Sequence, residues 1–314
     1  MAKIVTITNP LTGQSAQVDQ LDHTAQQIDD GLNIARGVSN PNLLDNWYFG
    51  NPVNQRGQTS YTGVGYGIDR WASYTSETTV VITETGLQLI LTDTSSYIEF
   101  TQRLPIQPLI GKTVNVSFLT ASNELATGST IVSQSMDVNK CVGSKIRLNL
   151  YAINNGILQL RFLGSSETIK AVKLELGSQQ TLAHQENGVW VLNEIPDFGE
   201  QLARCQRYQI NLVRPDEPNY GVIGTGYAPP NSDFAAIFIP TPITLRAKPS
   251  IEKSGVFKLM QGYTMFDVTS MDTDRITNNG VVIFAHISGN TLSGEYMLYH
   301  WSDAMNTFLL NSNL

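Results

Sequence analysis

From Thr78 to Leu176 apolar and polar residues alternate in short runs. These are TTVVITE (78–84), LQLILT (87–92), SYIEFTQRL (96–104), KTVNVSFLTA (112–121), STIVSQS (129–135), KIRLNLYAI (145–153), ILQLRFL (157–163) and TIKAVKLEL (168–176). A period of two sends one face of each run to a core and the other to solvent. ETG, NNG and GSS punctuate the runs, and NNG between Ile153 and Ile157 is a strong hairpin signal. Strands at this spacing with no helix between them predict an antiparallel sandwich or jelly roll over 41–178. Carbohydrate-binding modules commonly share that architecture, an analogy of fold alone.

A second β-rich part covers 205–314, with the runs YGVIGTGY, FAAIFIP, FKLMQGYTMFDVTS, GVVIFAHISG, GEYMLYHW and TFLLN. Another antiparallel sandwich of jelly-roll type is expected there, its prolines confined to strand ends and edges. Between the two parts, 179–204 reads as a linker. It holds a loop around His184–Leu192 that includes Trp190, then a short helix over Pro196–Arg204. Asp197 caps that helix, and Phe198, Leu202 and Cys205 fall on one face. The first 40 residues form a third region. Residues 1–22 are β-prone around the turn signal NPLTG (9–13), and a helix is predicted from Thr24 to Arg36 with Gly37 ending it. In that helix Leu21, Ala25, Ile28, Leu32 and Ala35 follow a 4-3-4-3 spacing. Such a stripe fits the seam of a short parallel coiled coil, and equally one amphipathic helix packed on the first sandwich. Two heptads do not hold a coiled coil alone, so the β domains would have to share the work.

Composition narrows the function classes. Charged residues make up 15% of the 314, against about 25% in ordinary globular proteins. Neutral polar side chains fill the surface instead, which suits large assemblies where charges at contacts need partners. A net charge of −7 opposes a long-range grip on nucleic acid, so none is expected as a partner. No run of about 18 apolar residues predicts a membrane span, and MAKIVTITNP lacks the pattern of a secretory signal. Cys141 and Cys205 are too few for a disulfide framework and read as free thiols.

The stretch LLDNWYFGNPVNQRG…SYTGVGYGIDRW, Leu43 to Trp71, carries the most specific signal. Its residues read as a strand at Trp47, Tyr48 and Phe49, a long ordered turn-rich loop, and a second strand near Trp71. It resembles a segment recurrent in structural proteins of phages and prophages, tail-fibre and appendage proteins in particular. A second such stretch pairs KLELG (173–177) with the QLARCQRY segment (201–208), which in that family end a first sandwich and begin the next domain. The resemblance implies a virion structural protein (tail fibre, baseplate or capsid fibre) made in the bacterial host cytoplasm. It favours a homotrimer whose N-terminal segment docks on other virion proteins and whose C-terminal domain faces a host-surface glycan. Two other classes remain open: a secreted non-viral glycan-binding module, and a phage polysaccharide depolymerase.

Catalytic signals are weak. His23, His184, His286 and His300 show no metal-ligand spacing, TGVGYG (62–67) lacks the ending of a phosphate loop, and no nucleophile elbow occurs. Neither a cofactor nor an enzymatic activity is expected. Trp47 and Trp71 belong to the core. Aromatic residues in loops or at edges are better binding candidates: Tyr220, Tyr227, Tyr299 and Trp301, with Asn231 and Asp303 as polar companions. Interdomain or intersubunit packing explains them equally well.

Overall fold

A computed structural model describes residues 3–8, 15–20, 39–92, 98–153, 156–213, 219–277, 280–289, 291–302 and 307–312. The stripe Leu21, Ala25, Ile28, Leu32 and Ala35 lies outside them, as does Asp303. Near the N-terminus β1 (Lys3–Thr8) pairs antiparallel with β2 (Ser15–Gln20), one on either side of the NPLTG turn.

The sandwich is built from β3 (Ser60–Thr62), β4 (Gly65–Tyr66), β5 (Ala72–Ser73), β6 (Thr78–Thr83), β7 (Gly86–Leu91) and β8 (Phe100–Pro105). It continues through β9 (Thr113–Thr120), β10 (Leu125–Ile131), β11 (Asp137–Val142), β12 (Ile146–Ile153), β13 (Ile157–Gly164) and β14 (Glu167–Leu176). One sheet runs β10-β9-β14-β7-β6-β3 and the other β11-β12-β13-β8-β5-β4. Alternation does the sorting: Val114, Val116 and Phe118 of β9 meet Leu148, Leu150, Leu158, Leu160 and Phe162 in one core. Trp71 is its hub, fully buried, with ring centres of Phe49, Phe100 and Phe162 at 5.3, 5.5 and 6.0 Å. Burying one such side chain is worth about 1.5–3 kcal/mol.

Two sequence expectations need correction here. Residues 47–49 form no strand; Tyr48 makes a single bridge to Ala171. The chain must turn at Asn46, which takes a left-handed φ of 52°. The Asn46 side chain accepts from Val53 N at 2.7 Å and donates to the carbonyls of Val53 and Asp69, each at 2.8 Å. Side chain to backbone bonds therefore replace a ladder. The strand β11 was not foreseen, because a register shift between Asn139 and Cys141 interrupts its alternation.

The linker is more regular than expected. The loop around Trp190 is a hairpin of β15 (Ala183–Glu186) and β16 (Val189–Leu192), turned by Asn187 and Gly188, both at positive φ. Asn-Gly is the favoured pair for such a turn. Helix α1 (Phe198–Gln206) starts at Asp197, whose carboxylate accepts from Glu200 N at 2.9 Å. Its buried face carries Gln201 and Cys205, whereas Phe198 is exposed, contrary to the face read from the sequence.

The C-terminal part comprises β17 (Gln209–Asn211), β18 (Asn219–Ser232), β19 (Phe234–Pro240), β20 (Ser250–Ser254) and β21 (Phe257–Gln261). After them come β22 (Thr264–Thr277), β23 (Gly280–Ile287), β24 (Leu292–Ser302) and β25 (Thr307–Asn311). In place of a second sandwich, six strands close into a barrel in the order β18-β19-β23-β22-β21-β24. A small sheet, β17-β25-β20, accompanies it. The long strands β18, β22 and β24 take part in register shifts, which bend and coil a sheet enough to close it. Pro229 and Pro230 sit at one of these shifts, between Ala228 and Ser232, where no ladder bond is lost.

The sandwich, helix α1 and strand β17 of the small sheet meet at a buried polar junction. The Asp45 carboxylate accepts from Arg70 Nε at 3.1 Å and from Arg204 Nε at 2.9 Å. The Arg70 guanidinium also stacks 3.5 Å from the centre of the Tyr208 ring. Asn46 N donates to Gln201 Oε1 at 2.8 Å. Beside this group, the fully buried Asp69 accepts from Gln55 N at 3.1 Å and from Gln209 Nε2 at 2.7 Å. Asn211 Nδ2 reaches Gln55 O at 2.7 Å. The two stretches most specific in the sequence, 43–71 and 201–208, thus pack against each other.

Two outcomes follow from the junction. Asp45→Ala leaves Arg70, which is 2% exposed, without its carboxylate, and should cost about 3–5 kcal/mol in urea unfolding. Burial pushes the Asp69 carboxyl up to about 6 from 3.8, against the opposing pull of its hydrogen bonds. A raised carboxyl favours the folded state most below about pH 4, and that contribution is lost as pH rises through about 6. Stability of the native protein relative to Asp69→Asn should therefore fall by on the order of 3 kcal/mol between pH 4 and pH 7. A difference independent of pH would show that Asp69 is ionised throughout.

Candidate functional site

The outer face of the barrel carries a groove whose lining follows from strand alternation. On β24, Tyr296, Leu298 and His300 turn inward while Glu295, Met297 and Tyr299 turn outward. On β21 the outward residues are Lys258 and Met260. Register aligns Met260 and Thr225 with Met297, Glu295 with Tyr227, and Tyr227 with Ala236 of β19. These side chains become one patch, and the Gln261–Gly262 turn walls it at one end. The groove encloses about 820 Å³, inside the range of roughly 300–1,000 Å³ typical of small-ligand sites.

The floor and the wall are pinned. A Cβ at Gly226 would lie 1.8 Å from Ala236 O, so only glycine lets β18 sit this close to β19. Tyr296 is 3% exposed, yet its hydroxyl donates to Gln261 Oε1 at 3.1 Å. Gln261 Nε2 in turn donates to Ser293 O at 2.8 Å. The Gln261 amide is thereby committed to structure. Tyr227 is half exposed, and neither its hydroxyl nor the Glu295 carboxylate has a side-chain partner among the described residues. Tyr263, at the tip of the same β21–β22 hairpin, stands fully in solvent. The groove thus offers an aromatic face, two thioethers, hydroxyls and one carboxylate.

The six residues expected to bind do not form one cluster. Tyr227 lines the groove. Tyr220 pairs in register with Trp301, and Val222 with Tyr299, toward the other end of the β18–β24 pair. Seven residues of strand separate Tyr220 from Tyr227, roughly 20 Å. Tyr299 is half-buried, and its hydroxyl lies 3.6 Å from Met297 Sδ, beside the groove lining on the same face. Asn231 is exposed in a left-handed turn beyond Pro230. The sequence reading missed Met260, Gln261, Glu295 and Met297. The alternation in GEYMLYHW places Glu295 and Met297 on one face, but which strands flank that face is a property of barrel closure.

Other features are less suited to a ligand. A recess of about 130 Å³ at the sandwich edge is lined by Tyr61, Tyr66, Gln58, Thr62 and Ser73, among others. Burial pushes both tyrosine hydroxyls up to about 12, so they stay protonated. Cys141 and Cys205 are free and buried, and burial also pushes the Cys205 thiol up. Among the described residues no group of three or more His, Cys, Asp or Glu is placed to hold a metal. No helix among them is long and apolar enough to cross a membrane. Comparison with protein-family models, curated proteins and solved structures found no match.

The groove geometry separates two substitutions. Gly226→Ala should lower stability by about 1–3 kcal/mol, because a backbone carbonyl cannot yield as a side chain can. Tyr227→Ala should change it by less than about 0.5 kcal/mol, since its exposed ring supports no core contact. Thermal unfolding of both variants checks this pair, and equal losses would show that Tyr227 is structural.

Proposed function

We propose that the chain is a virion structural protein of a phage or prophage, of the tail-fibre, baseplate or capsid-fibre kind, and that it holds a host-surface glycan through the barrel groove. One observation carries the binding half: an aromatic and hydroxyl-bearing groove of glycan-compatible size faces outward on a closed barrel. Tyrosine supplies flat apolar area at small entropy cost, and hydroxyls and carboxylates meet sugar hydroxyls. The groove lining includes one carboxylate, Glu295, whereas glycoside hydrolysis ordinarily uses two. That favours holding over cleavage. The resemblance of 43–71 and 173–208 to phage appendage proteins supports the virion half, as does the low charge content.

In this reading the protein is a parallel trimer joined in part through the stripe Leu21, Ala25, Ile28, Leu32 and Ala35. The N-terminal segment docks on other virion proteins. The jelly-roll-like sandwich acts as a rigid spacer, and three barrels present three weak sites. Tethering raises their effective concentration, so avidity replaces single-site affinity.

The test must use the full chain, because Gln209 and Asn211 are wedged into the sandwich and a cut near residue 205 would tear the junction open. Light scattering should give three chains per particle, and Ile28→Asp should shift it toward monomer. Adsorption to a panel of bacterial strains should weaken roughly tenfold in Tyr227→Ala, one aromatic contact being worth about 0.5–1.5 kcal/mol per site before avidity multiplies it. A monomeric native protein would end the trimer proposal. Adsorption unaffected by Tyr227→Ala would move the binding surface away from the groove.

A further inference from the structure

The glycan reading leaves the kind of sugar open, and the electrostatics of the groove narrow it. Of the ten residues that line it, Glu295 alone carries a charge at neutral pH. Its carboxylate has no hydrogen-bond or ion-pair partner among the described residues. The nearest cation in register on the outer face, Lys258, is held by Asp267 at 2.9 Å. Gln261 is committed to Tyr296 and Ser293. What remains for recognition is an acceptor-only anion beside neutral hydroxyls (Tyr227 and Thr225) and an apolar bed of Met260, Met297 and Ala236. The whole chain, at −7, adds a field of the same sign.

We propose that the groove selects saccharides bearing a free ammonium group, with Glu295 as the residue that reads the positive charge and Tyr227 as the platform for the ring. This rests on the glycan-binding reading above. An ammonium supplies three N–H donors to an otherwise unpaired carboxylate, while its N-acetylated form supplies one neutral N–H. A uronate would place like charges together. Because Glu295 is exposed, its contribution is that of a solvated ion pair, about two- to fivefold in affinity and weakened by salt.

Calorimetric titration of the full-length protein with glucosamine and N-acetylglucosamine oligomers of equal length tests this, at low and at moderate salt. The expected result is a two- to fivefold preference for the glucosamine oligomer, shrinking with salt and abolished in Glu295→Gln. Tyr227→Ala should weaken both oligomers alike. Persistence of the preference in Glu295→Gln would assign it to the overall charge of the chain and overturn the proposal. Equal binding of both oligomers, each weakened by Tyr227→Ala, would also overturn it while leaving the glycan groove standing. Failure of both oligomers and of a galacturonate oligomer to bind would remove the charge selection together with the groove.

Discussion

Asp45 lies 6% exposed with a guanidinium group on each of its two oxygens, Arg70 from its own segment and Arg204 from helix α1. A carboxylate so buried is tolerable only with both ends hydrogen-bonded. That requirement fixes where the helix docks, and Tyr208 beneath Arg70 fixes where the chain leaves it. From there Gln209 enters the sandwich to bond Asp69, and β17 continues into the sheet beside the barrel. The placement of the second domain on the first depends on this pair of polar clusters. No apolar seam in the linker could do it alone, since the buried face of α1 offers only Gln201 and Cys205.

Polar interfaces of this kind favour one arrangement over near alternatives, because any shift strands a buried charge. Such a junction holds the C-terminal domain in one orientation relative to the sandwich, a property separate from raw stability. The groove obeys a similar logic at smaller scale. Its wall is held by the Tyr296–Gln261–Ser293 chain and its floor by the close approach at Gly226. The groove surface is therefore organised in the free protein, and such preorganisation would lower the ordering cost of the proposed association.

Much of the sandwich was legible in the sequence because its determinants are local. Period-two alternation set β6, β7, β9, β12, β13 and β14 to within a residue or two, and Asp197 announced the start of α1. Where alternation is broken by a bulge, as at Asn139–Cys141, the strand was invisible. The Asn187–Gly188 turn was present in the letters and was read as loop, since the flanking runs are only four residues long. Trp47 and Trp71 were rightly placed in the core, and Phe49 is buried with them, yet the backbone of Trp47 and Phe49 is held by Asn46 and by single bonds to β14 in place of a strand ladder.

The sequence by itself determined which segments pair within a strand's reach, which faces are apolar and where one helix begins. Those properties depend on neighbours a few positions away. Tertiary structure alone decided that the C-terminal strands close into a barrel, since closure depends on register shifts distributed over β18, β22 and β24. The same holds for the groove. Tyr227, Glu295 and Met260 stand 33 to 68 residues apart along the chain and meet only because β18, β24 and β21 are neighbours in the ring. Tyr220 and Tyr227, close in sequence, end up well apart along one strand, because an extended chain separates residues by more than 3 Å at every step.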